Sequence, residues 1–291
     1  MKKIILFLII VLLLFVGFSV PTKGEIVPWA DFWTNAGYHS TNGERNNFNS
    51  FVLRSEGKFG IRGETVPGMA IDPYLAYYGV ASQDQNYWNN NVALGAGVRI
   101  LPFLGYQSTS WQNEWLNDVK FFAEALSLSI LNDQATVNRD KVHTTDSRIG
   151  IDVWHEWNLK EIDPNVPWAE VWGNLVYRDT NFFAEANNFP GNQFKTYLLY
   201  LQTKWGMHLS GGIRPYVCSY FTYSGVSKSW LNNFYYGVGL RMEPFREQKD
   251  SPDILRKFKM FVEVLGISWL KENEGRPASD IRFGVDFTFG R

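Results

Sequence analysis

From residue 29 to residue 289, apolar and polar side chains alternate with a period of two. The stretches are broken by turn-forming residues about every 20 positions, and helical i, i+3, i+4 spacing is weak. The pattern predicts about twelve strands, over 29–40, 51–63, 73–82, 87–101, 117–130, 147–159, 168–180, 194–209, 213–224, 231–242, 256–269 and 280–289. Strands of soluble sandwiches average about 5–6 residues. These are longer, and they match the roughly 9–11 residues that a tilted strand needs to cross a bilayer. An even number of strands fits the rule for bacterial barrels.

The alternation separates two faces. Over 118–125, Val119, Phe121, Ala123 and Ala125 share one face, and Asp118, Lys120 and Glu124 share the other. Over 257–264, Phe258, Met260, Val262 and Val264 stand against Lys257, Lys259 and Glu263. In a barrel in lipid the apolar face is the outer one and the charges face the lumen; in a soluble sandwich the assignment inverts. The barrel assignment places Arg99, Lys120, Glu124, Arg148, Asp152, Arg241, Lys259, Glu263, Arg282 and Asp286 in the lumen, with Arg54, Lys58, Arg62, Lys204, Asp31, Asp118, Glu156 and Glu170.

The same stretches occur twice. Trp29-Ala30-Asp31-Phe32-Trp33 returns as Trp168-Ala169-Glu170-Val171-Trp172, 139 residues later. Pro73-Tyr74 returns as Pro215-Tyr216, and Asn89-Asn90 as Leu231-Asn232 inside a longer match. Gly95-Ala96-Gly97-Val98-Arg99 returns as Gly237-Val238-Gly239-Leu240-Arg241. Glu124 matches Glu263, and Arg148-Ile149-Gly150-Ile151-Asp152 matches Arg282-Phe283-Gly284-Val285-Asp286. The reading is an all-β protein: a twelve-stranded antiparallel transmembrane β-barrel built from two six-strand repeats. Closing the ring removes every sheet edge, as lipid requires.

The first residues and the composition narrow the class. Met1-Lys2-Lys3, the apolar run 4–20 and Pro21-Thr22-Lys23-Gly24 read as a secretory signal peptide over 1–24, leaving 25–291 as the barrel. Without Lys2, Lys3 and Lys23 the chain has 25 basic and 29 acidic residues, a net charge of −4, and nucleic acid is not an expected partner. Cys218 is the one cysteine, which excludes an intramolecular disulfide. No His and carboxylate cluster has metal-ligand spacing, and no cofactor is expected.

In the last strand, Arg282, Gly284, Phe287 and Phe289 stand at the spacing polar-x-Gly-x-x-aromatic-x-aromatic. This resembles the signal by which outer-membrane barrels are recognised by their assembly machinery, which the resemblance makes a partner along with outer-membrane lipid. Pro73-Tyr74, Trp88-Asn89-Asn90, Leu94-Gly95-Ala96-Gly97-Val98-Arg99 and Pro102-Phe103 together resemble the C-terminal barrel of NfrA-type bacteriophage adsorption proteins. More distantly they resemble exopolysaccharide export porins such as PgaA, PelB and BcsC. The resemblance implies a cell outer-membrane component of exopolysaccharide export or cell-surface assembly, with polysaccharide and a periplasmic export protein as partners.

Catalytic candidates are few. His208-Leu209-Ser210 is the best hydrolase-like fragment, because an imidazole beside a hydroxyl can act as its base. Gly211 follows the serine where lipid hydrolases of this kind have Asn, and His208 aligns with Arg62, so the reading is non-enzymatic. Trp29, Trp168 and Tyr216, with Trp154-His155-Glu156-Trp157, are expected in an aromatic belt at the membrane interface, the latter run alternatively as a sugar-stacking platform. The alternative functions are a passive channel for small saccharides or polar solutes and a lipid-acting hydrolase. The segments 104–116 and 246–255 are the expected docking surface for a periplasmic protein.

Overall fold

A computed structural model describes residues 27–42, 48–66, 68–83, 90–105, 111–131, 145–158, 165–180, 194–226, 231–246, 248, 253–271 and 278–289. The signal-peptide reading over 1–24 lies outside the described residues, as do Trp88, Asn89 and most of 246–255. The described residues form twelve strands: β1 (Val27–Asn42), β2 (Phe48–Val66), β3 (Met69–Ser82), β4 (Asn91–Leu101), β5 (Val119–Ile130) and β6 (Thr145–Trp157). Then follow β7 (Pro167–Thr180), β8 (Phe194–Met207), β9 (Ile213–Ser224), β10 (Asn233–Met242), β11 (Phe258–Trp269) and β12 (Ala278–Phe289). Each pairs antiparallel with its neighbours in sequence, and β1 pairs with β12 from Phe32 opposite Phe289 to Asn42 opposite Ser279. The sheet is a closed barrel, so it has no edge.

Where strand ends differ from the alternation, side chains and turns explain the difference. β4 begins at Asn91 and β10 at Asn233 because the preceding asparagines belong to the turns. Asn90 Oδ1 accepts from the amide of Ser82 at 2.9 Å, and Asn232 Oδ1 accepts from the amide of Ser224 at 2.9 Å. Asparagine suits this place because its short amide side chain mimics a backbone turn. β5 begins at Val119, since Trp111–Asp118 form a 3-10 helix that lies against β6.

The two faces differ as solvents differ. Outward positions expose Leu75, Leu94, Ile149, Val217, Val238, Val264 and Phe283, each more than half accessible. Inward positions bury Glu124, Glu170, Arg241, Glu263 and Asp280. A water-soluble barrel has the opposite arrangement. An antiparallel ring with an apolar exterior and a polar interior is the form taken by outer-membrane barrels, and it places this chain in the bacterial outer membrane.

Candidate functional site

The lumen is organised by one row of residues that the register repeats. Trp29 on β1 stands opposite Gly60 on β2, which stands opposite Tyr74 on β3. The row continues through Gly97 on β4 and Glu124 on β5 to Arg148 on β6. Starting again at β7, it runs Trp168, Gly206, Tyr216, Gly239, Glu263, Arg282. Both halves read Trp-Gly-Tyr-Gly-Glu-Arg across six strands. The glycines leave gaps that the neighbouring rings cross. A Cβ on Gly60 would lie 2.8 Å from the Trp29 ring, and one on Gly97 would lie 2.6 Å from Cζ of Tyr74. In the second half a Cβ on Gly206 would lie 2.9 Å from Trp168 Nε1, and one on Gly239 would collide with the Tyr216 ring.

Crossing the gap brings each tyrosine to its glutamate. Tyr74 and Tyr78 donate to Glu124 Oε1 at 2.8 and 2.6 Å. Tyr216 donates to Glu263 Oε1 at 2.8 Å, and Tyr220 donates to the same oxygen. A lysine completes each cluster: Lys58 Nζ is 3.5 Å from Glu124, and Lys204 Nζ is 3.4 Å from Glu263. Each ammonium also lies over its two phenol rings, at 5.6 and 5.7 Å in one half and 5.4 and 5.7 Å in the other. Gly97→Ala is expected to push Tyr74 off Glu124 and to cost about 1–3 kcal/mol of unfolding free energy. Urea unfolding of the barrel in lipid vesicles checks it, and an unchanged midpoint would show that the ring has room to spare.

Arg62, Arg99, Arg214, Arg241 and Arg246 are committed below this row, toward the end of the barrel where β1 begins and β12 ends. Arg99 bonds Asp31 at 2.8 Å and Asp72 at 2.9 Å, while Arg62 also bonds Asp72. Arg241 bonds Glu170 at 3.0 Å. The partner of Asp72 in the second half is Arg214, and it reverses the charge: Arg214 and Arg246 both pair with Glu243, at 3.1 and 2.6 Å. Glu243 also fixes a turn through its backbone. Its amide donates to the carbonyl of Gly212, a residue at φ +72°, where a Cβ would lie 2.6 Å from the Glu243 carbonyl oxygen.

His208 packs beside that turn, with Nε2 donating to the carbonyl of Asn158 at 2.9 Å. Burial holds its pKa below the usual 6.5. Burial alone would raise the Glu243 carboxyl, but Arg214, Lys259 and Arg246 outweigh it and hold the group below the usual 4.5. Both depressed groups bind more protons when the structure opens, so their contributions are lost as pH falls. The His208 contribution declines first, below pH 6.5, and that of Glu243 below 4.5. The amide of Leu209, bonded to Ile213 O at 2.8 Å, reports this. Its exchange protection, corrected for the intrinsic rate, is expected to fall from pH 6.5 downward, and in His208→Gln only in the carboxylate range. The same profile in both proteins would assign the loss elsewhere.

Among the described residues the lumen holds a cavity of about 300 Å³. Arg54, Lys259 and Asp286 line it, beside an aromatic ladder in which Trp154 and Trp172 lie 6.3 Å apart and Trp172 and Tyr200 4.7 Å apart. Trp172 Nε1 donates to Asp152 at 2.8 Å. Among the charges expected in the lumen, Arg54, Glu170, Lys204, Arg241, Lys259, Glu263, Arg282 and Asp286 line this cavity. Glu124 and Arg148 belong to the cluster in the other half, where Arg148 bonds Asp146 at 2.7 Å, and Lys120 stands opposite Asp152. In the final strand Gly284 stands opposite Gly37, and Phe287 packs outward against Phe32 at 6.4 Å. Phe289 ends the pairing with β1.

Three expectations are corrected. Trp29, Trp168 and Tyr216 are not in an outer belt, because their register places them in the inner row. Trp29 holds the Arg99 guanidinium 3.5 Å from its ring, and Trp168 meets Tyr216 edge-on at 5.8 Å. Asp118 is not in the lumen. It lies in the 3-10 helix rather than in a strand, so alternation does not govern it, and it bonds His155 Nδ1 at 2.6 Å on the outer side of β6. The run Trp154-His155-Glu156-Trp157 therefore divides, with Trp154 on the inner ladder and His155 outside. The fragment around His208 shows a buried ring beside an exposed Ser210. Gly60 and Gly206 were not named in the repeat comparison, although the alignment of His208 with Arg62, at a spacing of 146 residues, sets one on the other. Lys58-Phe59-Gly60-Ile61-Arg62 against Lys204-Trp205-Gly206-Met207-His208 carries the signal.

No protein-family model matches the chain, and no curated protein sequence matches it. Solved structures resemble it at low similarity. The β domain of the Bordetella autotransporter BrkA shares 13% identity over 90% of this chain and 98% of its own, with a TM-score of 0.38. The KdgM porin shares 13% over 88% and 99%, with a TM-score of 0.35. The NanC porin shares 7% over 89% and 100%, with a TM-score of 0.40. Likeness at this level carries no residue role from one protein to another.

Proposed function

We propose that this chain is a non-enzymatic outer-membrane barrel that handles glycan during its export or assembly at the cell surface, and that it arose as a six-strand unit written twice. The observation that carries the reading is the lumen. Two bolted clusters stand in it, and beside the second a cavity near the lower bound of the roughly 300–1,000 Å³ usual for ligand sites is lined by indoles, phenols and amides together with charges of both signs. Rings and hydrogen-bonding groups of this kind suit sugars. The resemblance of the first half to NfrA-type and exopolysaccharide export barrels points the same way. Deleting the gene is expected to lower surface polysaccharide, and complementation to restore it. An unchanged amount of surface glycan would overturn the reading.

The second reading is a passive channel for small polar solutes, favoured by the existence of a lumenal cavity. The crossing Tyr–Glu and Arg–carboxylate bonds oppose it, since they bridge strands that an open pore would leave apart. In planar bilayers the protein is expected to show no steady conductance. Stable open-channel currents would establish the channel instead.

A further inference from the structure

We propose that the lumenal cavity is a binding site for an acidic saccharide, whose ring faces lie on Trp172 and Tyr200 and whose carboxylates meet Arg54 and Lys259. The inference rests on the glycan-handling reading and adds the charge of the ligand. It begins with two cations. Among the described residues, the Arg54 guanidinium and the Lys259 ammonium have no ion pair within 4.0 Å, although both line the cavity. The other lumenal cations are bonded: Lys204 to Glu263, Arg241 to Glu170, Arg282 to Asp280. An interior that pairs its charges so consistently leaves these two cations, and the Asp286 carboxylate, facing the same space without an ion pair within 4.0 Å, an excess of one positive charge among the unpaired groups.

The second observation is the wall opposite. β2, which carries Arg54, lies six strands round the ring from β8, which carries Tyr200. On that side Trp154, Trp172 and Tyr200 occupy three consecutive strands and form a continuous aromatic surface. A ring with axial C–H groups packs on such a surface, since the π face is negative. A simple inorganic anion would make no use of it. The third observation is a pair of buried polar atoms left over at the cavity wall. Arg241 gives Nη2 to Glu170 and leaves Nη1 unpartnered, and Asp286 Oδ1 is unpartnered too. Donors and acceptors together suit a ligand with hydroxyls as well as carboxylates. The site would hold one cationic side, one aromatic side, and hydrogen-bonding groups between them.

Calorimetric titration of the full-length folded barrel in detergent tests this with tetragalacturonate, maltotetraose and benzoate. Tetragalacturonate is expected to bind at least about tenfold more tightly than the other two, and more weakly as salt rises. Arg54→Gln is expected to weaken tetragalacturonate by about tenfold and leave maltotetraose unchanged. Tyr200→Leu is expected to weaken both sugars. Folded and boiled gel mobility like the parent's shows that each variant is a barrel, and Lys259→Gln repeats the charge test on a second strand. Equal affinity for the charged and neutral sugars, benzoate binding as well as tetragalacturonate, or no binding at all would overturn the proposal. Loss of surface glycan in the deletion strain without tetragalacturonate binding would remove this inference and keep the wider function. Binding with unchanged surface glycan would do the reverse.

Discussion

Glu263→Ala is expected to destabilise the barrel by about 3–5 kcal/mol, the range found when one partner of a buried charge pair is removed. The carboxylate is 2% exposed and accepts from Tyr216 and Tyr220 while facing Lys204. Without it, two phenols lose their acceptor and an ammonium loses its counter-charge inside the ring. The two rings beneath Lys204 retain part of its stabilisation, which favours the lower end of the range. Glu263→Gln keeps an acceptor and removes only the charge, and is expected to cost about 1–3 kcal/mol. Glu124→Ala should match Glu263→Ala to within about 1 kcal/mol, since the same residue types meet it at the same register. Urea unfolding in lipid vesicles measures all three. A Glu263→Ala barrel as stable as its parent would show that the clusters are not structural bolts.

Val238→Arg is the second large effect, expected at about 2–4 kcal/mol in vesicles. Val238 is at the middle of β10 and 58% exposed. It stands abreast of Val217 on β9 and Val264 on β11, both also more than half exposed, so three valines form an outward band. At mid-depth a guanidinium leaves lipid only by deforming the bilayer. On a water-facing surface the same substitution would change stability by no more than about 0.5 kcal/mol. A neutral result in vesicles would therefore falsify the assignment of the apolar face to lipid.

Alternation located all twelve strands, because each strand presents the same face to the same solvent along its whole length. It could not say which solvent was outside; the exposure of Val238 and the burial of Glu263 decide that. Pairwise contacts in the lumen were less legible. Tyr74 is 50 residues from Glu124, and only the register across β3, β4 and β5 puts Gly97 between them. The repeat nevertheless named most members of the row, including Trp29, Tyr74, Gly97, Glu124 and Arg148, without naming what they do together. Trp29 and Asp118 misled for opposite reasons. An indole near a strand end suits an interface and a gap beside glycine equally well, and Asp118 belongs to a helix where a period of two has no meaning. Arg54 was legible as an inward charge, but its lack of a partner depends on where every other charge is placed.

The inner rows end differently at the two joints between halves. Beyond Arg148 the next residue is Arg178, which with Arg148 grips Asp146 and so rivets β6 to β7. Beyond Arg282 the next residue is His39, whose ring stands 4.0 Å from Asp280, with Thr41 donating to the same carboxylate at 3.1 Å. The ring thus has a strong joint in mid-chain and a lighter one where its first and last strands meet. A pulling force or rising heat would part β1 from β12 before β6 from β7.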